Sequence, residues 1–265
     1  MDSKQDKIRK KRLYRMEVGT SGFMSSQKQW LNLPMLNCIE INSTFYRLPS
    51  SKVIEGYQKF PSRVSFIFKV SRFITHVKRL KCVDEAWNNF WDHLIPISKQ
   101  IVTVLFQMPP TFHFNSENVR RIVALKEVMP INLVPSFEFR DKSWICEEVY
   151  ELFKKLRWCM VGTYIIKRPD TKWMGSMPNG IFIPQLSGNM TYVRVHGRRG
   201  FRGAIDSGKL GQLQQCILQQ RSFLNICMFN NVFFDKRGTT YSLGGEMIKY
   251  AAICNACQFS LIKNY

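Results

Sequence analysis

The chain has 265 residues, of which 45% are hydrophobic and 13% aromatic. A chain of this kind can bury a large core, which excludes a mainly disordered protein. No apolar run reaches the ~20 residues that a membrane span needs, and the charged N-terminal segment lacks the apolar stretch of a signal peptide. We therefore expect a soluble, intracellular and cytoplasmic protein, with a nuclear or virion-associated location as alternatives.

The net charge is strongly positive, with 39 Lys and Arg against 19 Asp and Glu and a formal charge of +20. This excess favours an anionic ligand, DNA or RNA among them, although added solubility would also explain it. Part of the excess lies in residues 1–15, for which we predict a flexible basic arm. The arm residues expected to contact nucleic acid are Lys10, Lys11 and Arg12.

Short apolar segments alternate with amphipathic helical patterns along residues 16–265. The predicted strands are Arg15–Gly19, Cys38–Asn42, Val64–Val70, Ile101–Gln107, Asn132–Phe139, Cys159–Thr163, Thr191–His196 and Asn225–Asn230. The predicted helices are Asp84–Ser98, Ser116–Met129, Ile145–Trp158, Gly208–Arg221 and Gly245–Gln258. Eight strands alternating with helices predict a single domain of the α/β class, a TIM-like (β/α)8 barrel with a closed parallel sheet and outer helices.

The sixth unit of this barrel is expected to be irregular. After Thr163 the segment up to residue 190 is rich in Pro and Gly, which predicts a long loop in place of a regular helix. The eight cysteines are scattered and mostly lie in apolar surroundings, which favours reduced core thiols over disulfides. Cys254 and Cys257 form one CxxC without a second pair, so a zinc knuckle is not expected there.

Polar side chains occur at the ends of several predicted strands, in the phase opposite to the apolar residues. In a barrel that phase points into the interior, where an unpaired charge is costly, so the charged groups should collect at the carboxyl ends of the strands. We call this edge the mouth. The charged members of the predicted cluster are Glu40, Lys69, Arg72, His76, Glu138, Arg140, Arg194 and His196. The alternative interpretation is structural: each of these residues would form an ion pair that caps the core and would bind no ligand.

Several distinctive segments occur in order along the chain, namely GTSGF (19–23), EINSTFYRLPS (40–50), KVSRFITH (69–76), QMPPTF (107–112), EFRDKSW (138–144), YVRVHG (192–197), FNN (229–231) and AAICNA (251–256). These motifs resemble, in the same order, those of the YecE-like family (domain of unknown function 72). The resemblance implies a TIM-like barrel whose signature residues line the mouth. This sequence departs from the family pattern at Phe23, where Trp is expected, in the divergent region 164–190 and in the extra basic arm.

Barrels of the xylose-isomerase-like and endonuclease-IV-like kind are similar in fold to this family, and the analogy suggests phosphoester chemistry. We expect a hydrolase or lyase acting on phosphoesters or nucleic acid, with Glu40, His76, Glu138 and His196 as catalytic acids or bases. The residues expected to bind substrate are Asn42, Tyr46, Lys69, Arg72, Gln107, Arg140, Trp144, Arg194 and Asn230. Arg198, Arg199 and Arg202, in the loop after the seventh strand, are expected to contact nucleic acid.

No cofactor is predicted. One divalent ion held by Glu40, His76, Glu138 and His196 is an alternative, but the surrounding Arg and Lys would repel it. Two non-catalytic alternatives stay open at this point, namely a nucleic-acid-binding module and a degenerate barrel that serves as a scaffold or virion component. The sequence leaves the oligomeric state open.

Overall fold

A curled, mostly parallel sheet forms the centre of the protein. The structure is a computed structural model, and it describes residues 15–23, 26–33, 36–165, 175–184, 190–196 and 207–230. Within these residues ten strands pair in the order β6-β5-β4-β3-β2-β1-β10-β9-β7-β8. Their bounds are β1 Arg15–Ser21, β2 Cys38–Ile41, β3 Ser65–Lys69, β4 Ile101–Gln107, β5 Ser136–Glu138, β6 Cys159–Met160, β7 Gly162–Ile165, β8 Gly180–Phe182, β9 Met190–His196 and β10 Leu224–Asn230.

All eight segments predicted as strands contain strand, and the sixth is divided in two. β6 pairs with β5 and β7 pairs with β9, although only Val161 separates β6 from β7 in the chain. One short segment, residues 159–165, therefore supplies strands near both ends of the sheet, which requires the sheet to curl. A regular (β/α)8 barrel would also require the sheet to close completely, so the predicted closed barrel stays a prediction.

The irregular sixth unit contains one strand that was not predicted. β8 pairs antiparallel to β7 and is the exception in an otherwise parallel sheet. The turn before it packs on the end of β5, where the backbone N–H of Ser176 donates to the carbonyl of Arg140 at 3.1 Å. Residues 166–174 and 185–189 of the predicted loop lie outside the described residues.

The described helices that correspond to predicted ones, α3 to α6, are shorter than the sequence pattern indicates. The helix bounds are α1 Gln27–Leu31, α2 Ser51–Gln58, α3 Asp84–Asp92, α4 Ser116–Ala124, α5 Glu147–Leu156 and α6 Ser207–Gln219. α3 ends before Pro96, which has no N–H to donate, and a 3-10 turn over Ile95–Gln100 continues the chain. α4 is capped by Asn115, whose side chain accepts from the backbone N–H of Asn118 at 2.9 Å. The predicted helix Gly245–Gln258 lies outside the described residues.

Two buried apolar layers lie on opposite faces of the sheet. The outer layer includes Phe66, Phe106 and Phe137, and the Phe106 and Phe137 rings stack with centroids 4.8 Å apart. The interior layer is formed by Cys38, Ile67, Leu105, Cys159, Val161, Met190, Tyr192, Ile226 and Met228. This alternation leaves the polar phase of each strand inside the curl, as predicted.

The described cysteines are free thiols, as the sequence indicates for core residues. Cys38 and Cys159 are fully buried, and burial raises the pKa of the Cys159 thiol to about 12. Cys254 and Cys257 lie outside the described residues. In the part of the chain that the structure describes, no helix is long and apolar enough to cross a membrane.

Candidate functional site

Two carboxylates and two guanidinium groups form a buried cluster at the mouth. Arg194 on β9 donates to Glu40 on β2 through Nε at 2.9 Å and Nη2 at 2.6 Å. Its Nη1 donates to Glu138 on β5 at 2.5 Å, and Arg140 pairs with the other oxygen of Glu138 at 2.7 Å. All four side chains are almost completely buried. We call Glu40, Glu138, Arg140 and Arg194 the carboxylate–guanidinium cluster.

Strand geometry brings this cluster together. Glu40, Glu138 and Arg194 occupy the inward phase of β2, β5 and β9, three strands that are not neighbours in the sheet. One guanidinium can reach both carboxylates only because the sheet curls around it. The predicted convergence of these four residues is thus present in the structure.

Two further side chains donate to Glu40, neither of which was predicted, and a predicted residue supports one of them. The Tyr192 hydroxyl donates to Oε2 of Glu40 at 2.5 Å, and the Ser21 hydroxyl donates to its Oε1. Asn42, a predicted site residue, donates from Nδ2 to the Ser21 hydroxyl at 2.7 Å. Ser21 and Tyr192 share the inward phase of β1 and β9 with the charged residues, and this phase was the signal that could have identified them.

Both carboxylates are ionised near neutral pH. Burial would raise the pKa of Glu40, but the Arg194 guanidinium and the hydrogen bonds from Arg194, Ser21 and Tyr192 lower it below its ordinary value. Burial likewise opposes the shift at Glu138, where Arg140 and Arg194 hold the pKa well below the usual range. The cluster is therefore close to neutral overall, and Glu40 is too fully engaged to act as a free base.

His196 is a buried neutral imidazole beside the cluster. Its Nε2 lies 3.8 Å from Oε1 of Glu138, and its Nδ1 lies 3.3 Å from the Nδ2 of Asn230. Burial lowers the pKa of His196 to about 4, and the nearby guanidinium groups of Arg194 and Arg140 act in the same direction. At neutral pH the His196 imidazole is uncharged, so it can accept a proton but cannot act as an imidazolium acid.

The burial of His196 predicts a specific loss of stability on acidification. The folded-state pKa of about 4 lies below the ordinary value of 6.5, so the unfolded chain binds more protons in this window. We expect the wild type to lose about 2 kcal/mol of unfolding free energy through His196 between neutral pH and pH 5. Urea unfolding of wild type and His196→Gln at both pH values measures this contribution as the difference between their losses.

His93→Gln is the matched control for this prediction. His93 is partly exposed, and its Nδ1 lies 2.8 Å from the carbonyl oxygen of Asn89. The control should lose stability on acidification in parallel with the wild type. If the unfolding free energies of His196→Gln and the wild type depended equally on pH, a buried neutral His196 would be contradicted.

Lys69 lies next to the cluster but is not neutralised by it. Its Nζ sits 4.1 Å from the centroid of the Phe45 ring, a cation–π contact. Among the described residues Lys69 forms no ion pair, since Arg140 and Arg194 occupy the neighbouring carboxylates. Burial and the Arg194 charge lower the pKa of Lys69 to about 8, and Glu40 and Glu138 offset only part of this shift.

Phe45 organises the part of the mouth that follows β2 and β3. The Tyr46 and His76 rings each stand edge-on to it with centroids 5.0 Å away. Burial, with the charges of Lys69 and Arg72, lowers the pKa of His76 to about 4, so this half-buried imidazole is neutral at neutral pH. Phe45 was not predicted as a site residue, because a buried Phe carries no chemical signal of its own.

An unusual backbone segment borders this region. A π-helical turn spans Phe73–Val77, and Arg79, Leu80 and Cys82 adopt positive φ angles of 49°, 62° and 48°. Such conformations are costly for residues with a Cβ and concentrate at ligand-binding sites. Exposed cations flank this turn, and a further one, Arg47, follows Tyr46 in the chain. We define Arg47, Arg72, Lys78 and Arg79 as the basic rim.

The remaining predicted residues lie in three kinds of place. Gln107 and Asn230 end β4 and β10 and are half-buried at the mouth. Trp144 is fully buried and stacks on Phe139 with ring centroids 4.1 Å apart, so no part of it is exposed to a ligand. Lys10, Lys11, Arg12, Arg198, Arg199 and Arg202 lie outside the described residues.

The single divalent ion considered as an alternative finds no assembled site. Within the described ranges, no group of three or more His, Cys, Asp or Glu is arranged to hold a metal ion. Glu40 is occupied by Arg194, Ser21 and Tyr192, and Glu138 by two guanidinium groups. A metal ion bound here would have to displace these cations.

Comparison with known proteins gives the family. The profile described as "Protein of unknown function DUF72" matches residues 18–238, a range that contains the whole carboxylate–guanidinium cluster. The chain belongs to the DUF72 family. The resemblance noted from the strand-end motifs is thereby confirmed.

Several DUF72 relatives show the extent of the likeness. The UPF0759 protein YunF of Bacillus subtilis (strain 168) is 28% identical over 167 residues, which cover 60% of this chain and 58% of YunF. The solved structure of a DUF72 family protein from Thermotoga maritima MSB8 matches with a TM-score of 0.72 at 23% identity, covering 91% of this chain and 100% of that chain. A DUF72 family protein from Enterococcus faecalis V583 matches with a TM-score of 0.71 at 19% identity, covering 95% and 98%. Both solved structures share the fold of this chain.

Proposed function

We propose that the mouth binds an anionic phosphoester and that the chain is a hydrolase or lyase acting on phosphoesters, nucleic acid among them. The observation that carries the proposal is the surplus of positive charge at the mouth. The cluster of two carboxylates and two guanidinium groups is compensated internally, whereas Lys69 and Arg72 form no ion pair among the described residues. A dianionic phosphate beside Lys69 and Arg72 would supply the missing negative charge.

The site residues divide into supporting and reacting groups in this proposal. The four members of the carboxylate–guanidinium cluster hold one another, with Arg194 bridging Glu40 and Glu138 and Arg140 pairing with Glu138, and they keep the interior in place. Lys69 and Arg72 bind the phosphate oxygens, with Gln107 and Asn230 as neutral hydrogen-bonding partners. His76 is neutral and half-buried next to Phe45, so it suits the role of proton acceptor better than that of acid.

Nucleic acid is the favoured polyanion because the basic rim lies next to exposed aromatic rings. Tyr46 is 80% exposed and Phe73 is 47% exposed, and the ammonium of Lys78 lies 5.6 Å from the centroid of the Phe73 ring. Interleaved cations and aromatic faces suit the backbone and bases of a single strand. The arm residues Lys10, Lys11 and Arg12, together with Arg198, Arg199 and Arg202, would add contacts to phosphate.

The finer architecture belongs to the same proposal. We infer that the curled sheet closes as a (β/α)8 barrel, since β6 and β7 flank Val161 and pair with β5 and β9 respectively. Closure would give the mouth a continuous wall. The inward phase of the strands would then present Lys69, Gln107 and Asn230 to one enclosed space.

Arg72→Ala tests the proposed phosphate site. Fluorescence anisotropy with a single-stranded oligonucleotide should show about tenfold weaker binding for this variant at low salt, because one uncompensated cation is lost. Affinity of the wild type should also fall steeply as salt rises towards physiological concentration. The same samples are assayed for cleavage of the oligonucleotide and of small phosphomonoesters.

Lys155→Ala is the control. Lys155 is an exposed cation on the outer helix α5, so this substitution removes one positive charge, as Arg72→Ala does. Its affinity should stay within about twofold of the wild type. Equal weakening by both variants would count against a site at the mouth, and a flat salt response would count against nucleic acid.

A non-catalytic nucleic-acid-binding module is the second candidate. The exposed Tyr46 and Phe73 rings beside the basic rim favour it, because they suit binding and need no reacting group. Salt-sensitive binding with no cleavage of any phosphoester would select this module. Cleavage that His76→Gln abolishes while binding persists would select the enzyme.

A further inference from the structure

Lys69 differs from every other cation of the predicted cluster in its surroundings. Arg140 and Arg194 are buried in ion pairs with carboxylates, and Arg72 is exposed to solvent. Lys69 is half-buried at the end of β3, with its ammonium against the Phe45 ring and no ion pair within the described part of the chain. It is a primary amine that is held in place but not neutralised by a carboxylate.

These surroundings suit a nucleophilic amine. A lysine becomes nucleophilic when desolvation and neighbouring cations favour its neutral form. Both factors act on Lys69, which is removed from water and lies close to Arg194 and Arg140, and they lower its pKa to about 8. An appreciable share of the amine is therefore neutral slightly above neutral pH.

We propose that Lys69 is a nucleophile that forms a Schiff base with an aldehyde or ketone bearing a phosphate on the carbon β to its carbonyl group, and that the chain is a lyase for such compounds. This inference deepens the proposed function and rests on it, because the phosphate of the substrate occupies the anion site beside Arg72. It also selects elimination over hydrolysis as the reaction.

The steps balance without an oxidant or a reductant. The neutral Nζ adds to the carbonyl carbon, and the oxygen takes up a proton to give a carbinolamine. Loss of water leaves a protonated imine, which acidifies the carbon next to it. His76, neutral and on the same Phe45 ring as Lys69, accepts a proton from that carbon. The electron pair expels the phosphate from the β carbon, and water hydrolyses the imine to release the product and Lys69.

Two substrates share this chemistry. A small phosphorylated hydroxyaldehyde carries its phosphate β to the carbonyl group. The open-chain sugar of an abasic site in a DNA strand carries its 3′ phosphate in the same relation. The basic rim with its exposed aromatic rings would hold the strand in the second case.

Reductive trapping tests the inference with the full chain. Glyceraldehyde 3-phosphate forms one arm and a single-stranded oligonucleotide with one abasic site forms the other, each with sodium cyanoborohydride. Intact-mass analysis should find one adduct with the mass of the carbonyl compound less one oxygen atom, and peptide mapping should find it on Lys69. The rate of trapping should rise with pH through about 8.

Lys69→Arg is the decisive variant, since it keeps the positive charge but cannot form the imine. Its adduct yield should fall at least tenfold in the reactive arm, while Lys155→Arg, which changes an exposed lysine on the outer helix α5, traps as the wild type does. An adduct in either arm supports the inference, and the arm that reacts identifies the source of the substrate.

Two results would overturn it. One is labelling spread over surface lysines and unchanged in Lys69→Arg. The other is no adduct in either arm while anisotropy still shows binding that Arg72→Ala weakens, in which case the proposed function stands and the nucleophile does not. Absence of any phosphate-dependent binding would instead remove both.

Discussion

Replacing Arg194 by Met is expected to lower the free energy of unfolding by about 3–5 kcal/mol. The guanidinium donates to Glu40 at 2.9 and 2.6 Å and to Glu138 at 2.5 Å, and all three side chains are almost fully buried. Without Arg194, the partners that remain among the described residues are the hydroxyl groups of Ser21 and Tyr192 for Glu40, and Arg140 with the neighbouring His196 for Glu138. Urea unfolding at neutral pH measures the loss.

The effect should shrink as the pH falls, because the orphaned carboxylates of the variant can then take up protons. Arg121→Met is the control, since it breaks a partly exposed ion pair with Glu117 on α4 and should cost less than about 1 kcal/mol. Adding Glu40→Gln to Arg194→Met should recover part of the stability, because it removes the orphaned carboxylate and leaves the Glu138–Arg140 ion pair intact. Losses of similar size in Arg194→Met and Arg121→Met would contradict a buried cluster.

Truncating Trp144 to Ala is expected to cost about 3–5 kcal/mol of unfolding free energy. The indole is fully buried and stacks on Phe139 and Phe112, with ring centroids 4.1 and 5.4 Å away. Its Nε1 donates to the carbonyl oxygen of Phe112 at 2.6 Å, an acceptor that the substitution leaves unsatisfied. Thermal and urea unfolding report the loss.

Trp144→Phe separates packing from ligand contact. It keeps an aromatic ring in the stack, so it should retain most of the stability lost in Trp144→Ala. Its affinity for a single-stranded oligonucleotide should equal that of the wild type, because the ring does not reach the mouth. A variant with unchanged stability and weakened binding would assign Trp144 to the ligand instead.

The strands could be predicted from sequence because apolar and polar residues alternate along them, although both faces of the sheet are buried. Both faces are buried, yet Ile39, Ile41, Phe137 and Phe139 pack under the helices while the opposite phase carries charge at each strand end. Alternation was therefore visible even in fully buried strands. Helix ends were less predictable, since whether α3 continues past Asp92 depends on Pro96 and on local turns that hydrophobic periodicity does not record.

The convergence of Glu40, Glu138, Arg140 and Arg194 could be predicted from the strand pattern, but the role of each charged residue could not be assigned from sequence. Arg194 and Lys69 look alike as inward-facing cations at strand ends. Which of them faces a carboxylate depends on the curl of the sheet, which brings together residues far apart in the chain. The burial of Trp144 and the bridging position of Phe45 depend on the same tertiary packing.

The central guanidinium also has a consequence for the order in which the chain folds. Arg194 follows Glu40 by 154 residues and Glu138 by 56, so both carboxylates are synthesised long before their main partner. Until β9 docks, closing the interior would bury Glu40 without its cation, because Arg140 compensates only Glu138, and this makes early closure unfavourable. The first five strands therefore cannot complete the interior by themselves. Contacts over such sequence distances predict slow, highly cooperative folding in which the mouth is among the last regions to form.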